Sequence, residues 1–252
     1  MKKVLLLALA LMPSRDGAFG LLIGAAVGTL FLVPAHGLAQ WAPFEVDPCS
    51  SDVLNMSALE GLIRCAESGW TPDQYTLGVM YDNGNGVPED DAEAVRWYRM
   101  AAEHGHASAQ HNLGVMYAHG NGVPEDDAEA VRWYRLSAEQ RYVFAQFNLG
   151  VMYSRGEGVP EDDAEAVHWY QLAAEHGDAL AQTNLGFMYA SGDGVPKDLV
   201  FAHMWFGLSA AQGNKNAQSN NEKIEQVMTR AQIAEGQRLT REWLEAHPPG
   251  GN

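Results

Sequence analysis

Cysteine and basic residues are scarce in this chain of 252 residues. It contains 2 cysteines, and its 16 lysines and arginines face 32 aspartates and glutamates, which gives a formal net charge of −16. A field of that sign repels nucleic acid and anionic lipid headgroups. We therefore expect no nucleic-acid partner.

Sequence motifs of catalysis are also missing. No serine is followed three residues later by lysine and no Lys-Thr-Gly occurs, which argues against the serine machinery that recognises penicillins. The chain has neither a Gly-x-Ser-x-Gly elbow nor a phosphate-binding P-loop. We therefore expect no enzyme activity, no catalytic residue and no cofactor.

The dominant feature that the sequence does have is a repeat with a period of 36 residues. Leucine recurs at Leu77, Leu113, Leu149 and Leu185, tryptophan at Trp97, Trp133, Trp169 and Trp205, and proline at Pro88, Pro124, Pro160 and Pro196. A fixed period of this length is typical of a solenoid, in which each unit buries its apolar face against its neighbours.

Each unit contains two helical patterns joined by a turn. The apolar positions that share a helix face are Ala109, Leu113, Met116 and Tyr117 in the first pattern, and Ala94, Trp97, Tyr98 and Ala101 in the second. The turn holds Gly120, Gly122 and Pro124. Asp126 with Glu129 then resembles a capping box at the start of the second helix. This arrangement predicts an all-α protein.

A glycine recurs inside the first helix of each unit, at Gly78, Gly114, Gly150 and Gly186. Glycine costs a helix about 1 kcal/mol relative to alanine. The recurrence therefore indicates that the missing side chain is useful. We expect the tryptophan or tyrosine of a facing helix to pack closely there.

These markers resemble the Sel1-like repeat, a relative of the tetratricopeptide repeat, over roughly residues 73–213. The resemblance rests on the pattern A-x-x-x-L-G-x-x-Y, then G-x-G-V-P-x-D, then A-x-x-W-Y-x-x-A-A-x-x-G. It implies a right-handed α/α solenoid that holds other proteins, with capping helices at both ends. We divide the chain into a signal peptide or membrane anchor (1–39), an N-terminal cap (40–73), the repeats (74–213), C-terminal capping helices (214–247) and a disordered tail (248–252).

The N-terminus predicts export from the cytoplasm, to the periplasm or beyond. Small residues at Gly37 and Ala39 precede Gln40 and fit a signal-peptidase site. Two apolar runs precede it, so Met12 is an alternative start. The competing hypothesis is a retained membrane anchor formed by residues 18–35, which reach the lower limit of about 17 residues for a span.

Cys49 and Cys65 both precede the first complete repeat. In an oxidising compartment such a pair is expected to form a disulfide that staples the exposed end of the solenoid. On the chain-entropy model a loop of this size contributes about 3 kcal/mol. The alternative is two unpaired thiols.

The resemblance also implies a binding face, because tetratricopeptide-like solenoids line their concave face with the first helix of each unit. Carried over from the Leu-Gly anchor, the face comprises Ser108, His111, Val115, Ala118 and His119, then Phe144, Phe147, Val151, Ser154 and Arg155, then Leu180, Thr183, Phe187, Ala190 and Ser191. Asn112, Asn148, Asn184 and Asn220 recur beside it and are candidates to hydrogen-bond a peptide backbone. The function this predicts is an exported scaffold for a protein or peptide.

Several alternatives stay open at this stage. One alternative explains Phe144 and Phe147 by packing between repeats alone. The acidic runs at 89–91, 125–127 and 161–163 are explained by helix capping and solvation, since they lack the ligand spacing of an EF-hand. His111 and His119 are eight residues apart, which is too far for two ligands of one zinc ion on a helix. The alternative function is a glycan-binding or peptidoglycan-binding factor, or a hydrolase-like enzyme, of the cell envelope.

Overall fold

The structure is a computed structural model that describes residues 58–247. Within that range the chain forms eleven α-helices and no β-strand. They are α1 (Ala58–Glu67), α2 (Thr71–Asn83), α3 (Asp91–Glu103), α4 (Ala107–His119), α5 (Asp127–Glu139), α6 (Val143–Arg155), α7 (Asp163–Glu175), α8 (Ala179–Ser191), α9 (Leu199–Ala211), α10 (Lys215–Glu225) and α11 (Arg230–Ala246). The predicted signal peptide or anchor, Cys49 and the tail lie outside the described residues.

Helices α2 to α9 form four helix pairs, which confirms the predicted all-α solenoid. We name α2, α4, α6 and α8 the A helices, and α3, α5, α7 and α9 the B helices. Each A helix packs on the B helix of its own unit, and the B helices α3, α5 and α7 each pack on the A helix that follows. None of the helices in residues 58–247 combines the length and the apolar character that a membrane span needs.

The repeated leucines and tryptophans form the core between the pairs. The four leucines of the period are fully buried. Of the tryptophans, three are almost completely buried and Trp169 is half-buried. Each unit therefore buries its apolar side chains mostly against adjacent helices, as a solenoid requires.

The glycine inside each A helix lies against an aromatic ring of the B helix, as predicted. A Cβ built on Gly150 would be 2.6 Å from a ring carbon of Tyr170, and one on Gly186 would be 2.7 Å from Phe206. The ring belongs to the tyrosine slot and not to the tryptophan slot. The absent side chain lets the two helices of a pair approach each other.

A second glycine fixes the contact between successive units. Gly122, in the turn between α4 and α5, has φ of +65°, and a Cβ there would overlap the backbone carbonyl of Asp91 at the start of α3. Gly158 and Gly194 repeat this contact with Asp127 and Asp163. Each of these three turns thus contacts the first residue of the preceding B helix.

The B helices begin as predicted at an aspartate, although the capping box is incomplete. Asp126 Oδ1 accepts a hydrogen bond from the backbone N–H of Glu129 at 3.0 Å. The Glu129 side chain pairs with Arg132 at 3.1 Å instead of reaching back to the cap. Because both side chains are exposed, the arginine one turn later competes successfully for the carboxylate.

Both ends of the repeats are covered by further helices. At the N-terminal end α1 packs on α2 and buries Cys65 and Ala66. At the C-terminal end α10 and α11 both pack on α9, with Leu239 and Trp243 against the core. Helix α10 begins at Lys215, because Asn214 caps it as the equivalent residue Asp178 caps α8.

Candidate functional site

The A helices present a surface that contains most of the predicted binding residues, and we call it the A-helix face. Three large apolar side chains on it are strongly exposed: Phe144 at 58%, Leu180 at 55% and Phe187 at 47%. Phe144 and Leu180 occupy the same slot in neighbouring A helices, α6 and α8. We call this pair the apolar patch.

Phe147, predicted together with Phe144, has a different environment. It is half-buried, packs against the core and lies 6.0 Å from the Tyr170 ring between centroids. Packing within its own repeat therefore accounts for Phe147. Phe144 contacts the preceding unit, since its ring centroid lies 6.2 Å from that of His111, but more than half of the residue stays exposed. Packing between repeats thus accounts for Phe144 only in part.

Thr183 is buried, with 7% exposure, although it was predicted to lie on the binding face. Its hydroxyl hydrogen-bonds the hydroxyl of Ser209 at 2.8 Å and accepts from the Asn214 side chain at 3.1 Å. In this slot the other units have Tyr75, His111 and Phe147. The shorter threonine is tied to the B helix and offers little surface to a partner.

His111 and two of the predicted asparagines contact one another. The His111 ring lies 3.1 Å from Asn112 Oδ1 through Nδ1 and 3.1 Å from Asn148 Nδ2 through Nε2. Burial lowers the pKa of His111, and hydrogen bonding to Asn112 raises it in part. His111 therefore links two units. Its imidazole is neutral whenever the pH lies above this lowered pKa.

The asparagines also reach the buried tyrosines of the B helices. Burial raises the pKa of Tyr134 and Tyr170, and hydrogen bonding to Asn148 and Asn184 respectively opposes that rise. In the fourth unit Phe206 replaces the tyrosine, so Asn220 has no hydroxyl in this position and accepts from Lys223 at 3.3 Å. The predicted asparagines are thus partly engaged within the protein.

A pocket of about 230 Å³ opens on the A-helix face between α6 and α8. Its lining consists of Val151, Ser154, Arg155, Tyr170, Asn184, Phe187 and Met188. Five of these residues were predicted from sequence; Tyr170 and Met188 were not. This volume is below the range of about 300–1,000 Å³ that small-molecule sites usually have, so it suits one side chain or chain end.

The polar part of the pocket consists of one guanidinium, two hydroxyls and one amide, and no acidic residue lines it. Arg155 has an exposed side chain and reaches Glu157 at 3.7 Å, a solvent-exposed pair that contributes little. The equivalent end of the first unit differs, because Asp82 there accepts a hydrogen bond from the Tyr98 hydroxyl at 2.9 Å. The A-helix face therefore changes its charge from unit to unit.

The remaining predicted residues are spread along the same face. Val115 and Val151 are half-buried and pack against the core. His119 is exposed and its Nδ1 contacts the backbone carbonyl of Val115 at 2.9 Å. Across residues 58–247 no three His, Cys, Asp or Glu side chains come close enough to hold a metal ion.

Sequence reasoning missed a recurring glutamine. Gln74, Gln110, Gln146 and Gln182 are buried, and each donates its side-chain N–H to a carbonyl at the end of the preceding helix, from Ala66, Ala102, Ala138 and Ala174 in turn. The signal was the same period of 36 residues. The slot binds successive units together, so it is structural.

Comparison with known proteins agrees with this architecture. The Sel1 repeat model matches residues 72–106, 107–142, 143–178 and 179–214. The crystal structure of a Sel1 repeat protein from Oxalobacter formigenes is 35% identical, with 74% of each chain covered and a TM-score of 0.61. No sequence match was found among curated proteins.

A second similar structure is a protective antigen present in uropathogenic Escherichia coli strains, described as displaying an SLR fold. It is 37% identical and the match covers 75% of this chain and 48% of that one, with a TM-score of 0.41. The matched repeats make up more than half of the present sequence. The chain belongs to the Sel1 repeat family.

Proposed function

We propose that this protein is an exported, non-catalytic scaffold that binds a protein or peptide along the A-helix face. The observation that carries the proposal is the apolar patch, where Phe144 and Leu180 are each more than half exposed on neighbouring helices. Large apolar side chains that are exposed at equivalent positions of successive units form the kind of surface that a protein partner covers. Sel1 repeat proteins generally mediate protein–protein interactions.

The pattern of variation between units supports the same function. Slots that point into the core keep leucine, glycine and the buried glutamine in all four units. Slots on the A-helix face vary: the position of Phe144 is Pro72, Ser108 and Leu180 in the other units. A constant frame with variable surface side chains is the arrangement a binding scaffold needs.

Export is part of the proposal and rests on the N-terminal sequence, with its apolar runs and the small residues before Gln40. A disulfide between Cys49 and Cys65 belongs with it, because an exported domain meets an oxidising compartment. Residues 18–35 are the proposed anchor if the signal is not cleaved.

Affinity capture from an envelope extract tests the function. Wild-type protein is compared with a variant carrying Phe144→Ala and Leu180→Ala, which removes the apolar patch from the surface without opening the core. Val227→Ala is the matched control, because Val227 is 73% exposed but lies between α10 and α11. Circular dichroism and thermal unfolding check that all three proteins fold alike.

We expect a defined protein to be retained by wild type and by the Val227 variant and to be lost from the patch variant. Titration with the purified partner should give the same order of affinities. Equal binding to all three proteins would contradict the proposed face. Retention on purified peptidoglycan, independent of the patch, would favour the glycan-binding alternative.

A further inference from the structure

The pocket between α6 and α8 has a composition that is unusual for this protein. The chain has twice as many acidic as basic residues, yet the pocket is lined by one arginine and no carboxylate. Ser154 and Asn184 hydrogen-bond the Tyr170 hydroxyl oxygen, which leaves the Tyr170 O–H itself to donate into the pocket. A hydroxyl donor beside a guanidinium complements an anion.

The remaining lining residues are apolar, and we call them the apolar wall. Val151, Phe187 and Met188 form this wall, and Phe187 is held in place by an edge contact with Phe206, 5.1 Å between ring centroids. A ligand that fits must therefore present an anionic group and an apolar group within one small volume. A free phosphate or the side chain of an aspartate has no apolar part to use this wall.

From the geometry we infer that the pocket binds the C-terminal carboxylate of a peptide whose last residue is apolar. This inference rests on the proposed function, for which it names the chemistry of the partner. In a terminal residue the carboxylate and the side chain leave the same Cα, so one residue satisfies Arg155 and the apolar wall together. The pocket has room for one such residue, and the preceding chain must leave along the face.

The apolar patch sets the path of that preceding chain. Phe144 and Arg155 are eleven residues apart on α6, which corresponds to roughly 16 Å along a helix. An extended peptide covers this length in about five residues. The ligand should therefore have a second apolar residue about five positions before its C-terminus, in contact with Phe144 and Leu180.

The charge at the equivalent end of the first unit supports a single register. There Asp82 takes the place of Ser154 and Asn83 that of Arg155, so a carboxylate would meet a like charge. The two positions are Ala118 and His119 in the second unit, and Ala190 and Ser191 in the fourth. Of the four A-helix ends, the one on α6 is thus the only one with a guanidinium for a chain terminus.

Random octapeptide pools with leucine at the C-terminus and phenylalanine five positions before it provide the probe. One pool has a free carboxylate, a second is amidated, and a third is amidated with aspartate in place of leucine. Retention on immobilised full-length protein is measured for wild type and for Arg155→Gln. Arg132→Gln is the control for net charge, because Arg132 is an exposed arginine on α5.

We expect the free-acid pool to be retained at least about tenfold better than either amidated pool. Arg155→Gln should weaken binding of the selected peptides roughly tenfold or more, as loss of a charge-assisted hydrogen bond does. Arg132→Gln should leave it unchanged. Loss of this preference at high salt would agree with an ionic contact.

Equal retention of the acid and amide pools would overturn the carboxylate site. If that retention still depends on the apolar patch, the proposed function stands without the carboxylate site. Preference for the aspartate pool would overturn the choice of a chain terminus. If none of the pools is retained, the inference fails, and the capture experiment alone decides the proposed function.

Discussion

At the scale of single residues, two slots with the same period decide how closely the helices of a unit pack. The glycine of the A helix and the aromatic residue of the B helix are complementary in every unit, with Gly186 and Phe206 as the one pair without a hydroxyl. The hydroxyl of the other three pairs reaches the asparagine of the next unit. The pair therefore links packing within a unit to contact between units.

Replacing Gly150 by alanine tests this packing. The new Cβ would meet the Tyr170 ring at 2.6 Å, so we expect a loss of about 1–3 kcal/mol in the free energy of unfolding. Gly61→Ala is the control, because nothing lies within 4 Å of a Cβ there and the helix should gain up to about 1 kcal/mol. Urea unfolding measures both, and equal stabilities would contradict the close approach.

The buried imidazole of His111 predicts a pH dependence of stability. Burial lowers its pKa in the folded protein, whereas the unfolded chain takes up its proton near the ordinary value of about 6.5. Below that pH the unfolded state binds more protons than the folded state. The contribution of neutral His111 to the free energy of unfolding is therefore complete above about pH 6.5, and it is lost as the pH falls through the folded pKa.

Unfolding measured between pH 7.5 and 5.5 compares wild type with His111→Phe, which copies the residue of the next unit, Phe147. The variant should show a smaller decline in unfolding free energy across this range. The same decline in both proteins would show that His111 does not carry the effect.

At the scale of helices, the ends are set by a few residues outside the apolar pattern. The B helices α3, α7 and α9 are followed by glycine with φ near +90°, at Gly105, Gly177 and Gly213, whereas α5 is followed by Arg141 with φ of +67°. Left-handed backbone costs a residue with a side chain roughly 1 kcal/mol. The turn between α5 and α6 therefore keeps the geometry of its neighbours at a conformational cost.

Arg141→Gly should relieve this cost and raise the free energy of unfolding by about 1 kcal/mol. The reverse change, Gly177→Ala, should lower it by a similar amount, because a Cβ there meets nothing within 4 Å and only the backbone conformation is affected. Thermal unfolding of the two variants gives the comparison. A stabilised Gly177→Ala protein would disprove the explanation.

The period predicted which positions are buried far better than it predicted which are accessible. Leu149 and Gly150 occupy slots whose neighbours are the same in every unit, so their environment follows from one unit. The environment of Thr183 does not follow from one unit, because its burial depends on Ser209. The slot of Ser209 holds alanine in some units and serine in others. The pocket likewise depends on side chains from three helices, and the periodicity of one helix did not indicate that Tyr170 lines it.

At the scale of the molecule, stability should be a sum over units and the contacts between successive units. The turn glycines and the buried glutamines make these contacts in equivalent ways along the repeats. The charge is distributed differently, since Arg155 stands on an A-helix face of a strongly acidic chain. Structure is therefore repetitive, whereas the proposed recognition site is confined to one unit boundary.

Deleting residues 143–178, one complete unit, should leave a folded protein. The deletion brings Gly194 to Asp127 and Gln182 to Ala138, contacts that already exist between other units. We expect unchanged helicity per residue and a smaller denaturant m-value, since less surface is buried. A deletion of residues 143–160 is the control, because it breaks a helix pair and should abolish cooperative unfolding.

The most direct test of the account is hydrogen–deuterium exchange of the full chain with and without its captured partner. We predict slower exchange in α6 and α8 on binding, with the strongest protection around Val151 and Phe187 and none along the acidic starts of the B helices. Protection confined to α5 and α7, or to those acidic starts, would contradict binding on the A-helix face.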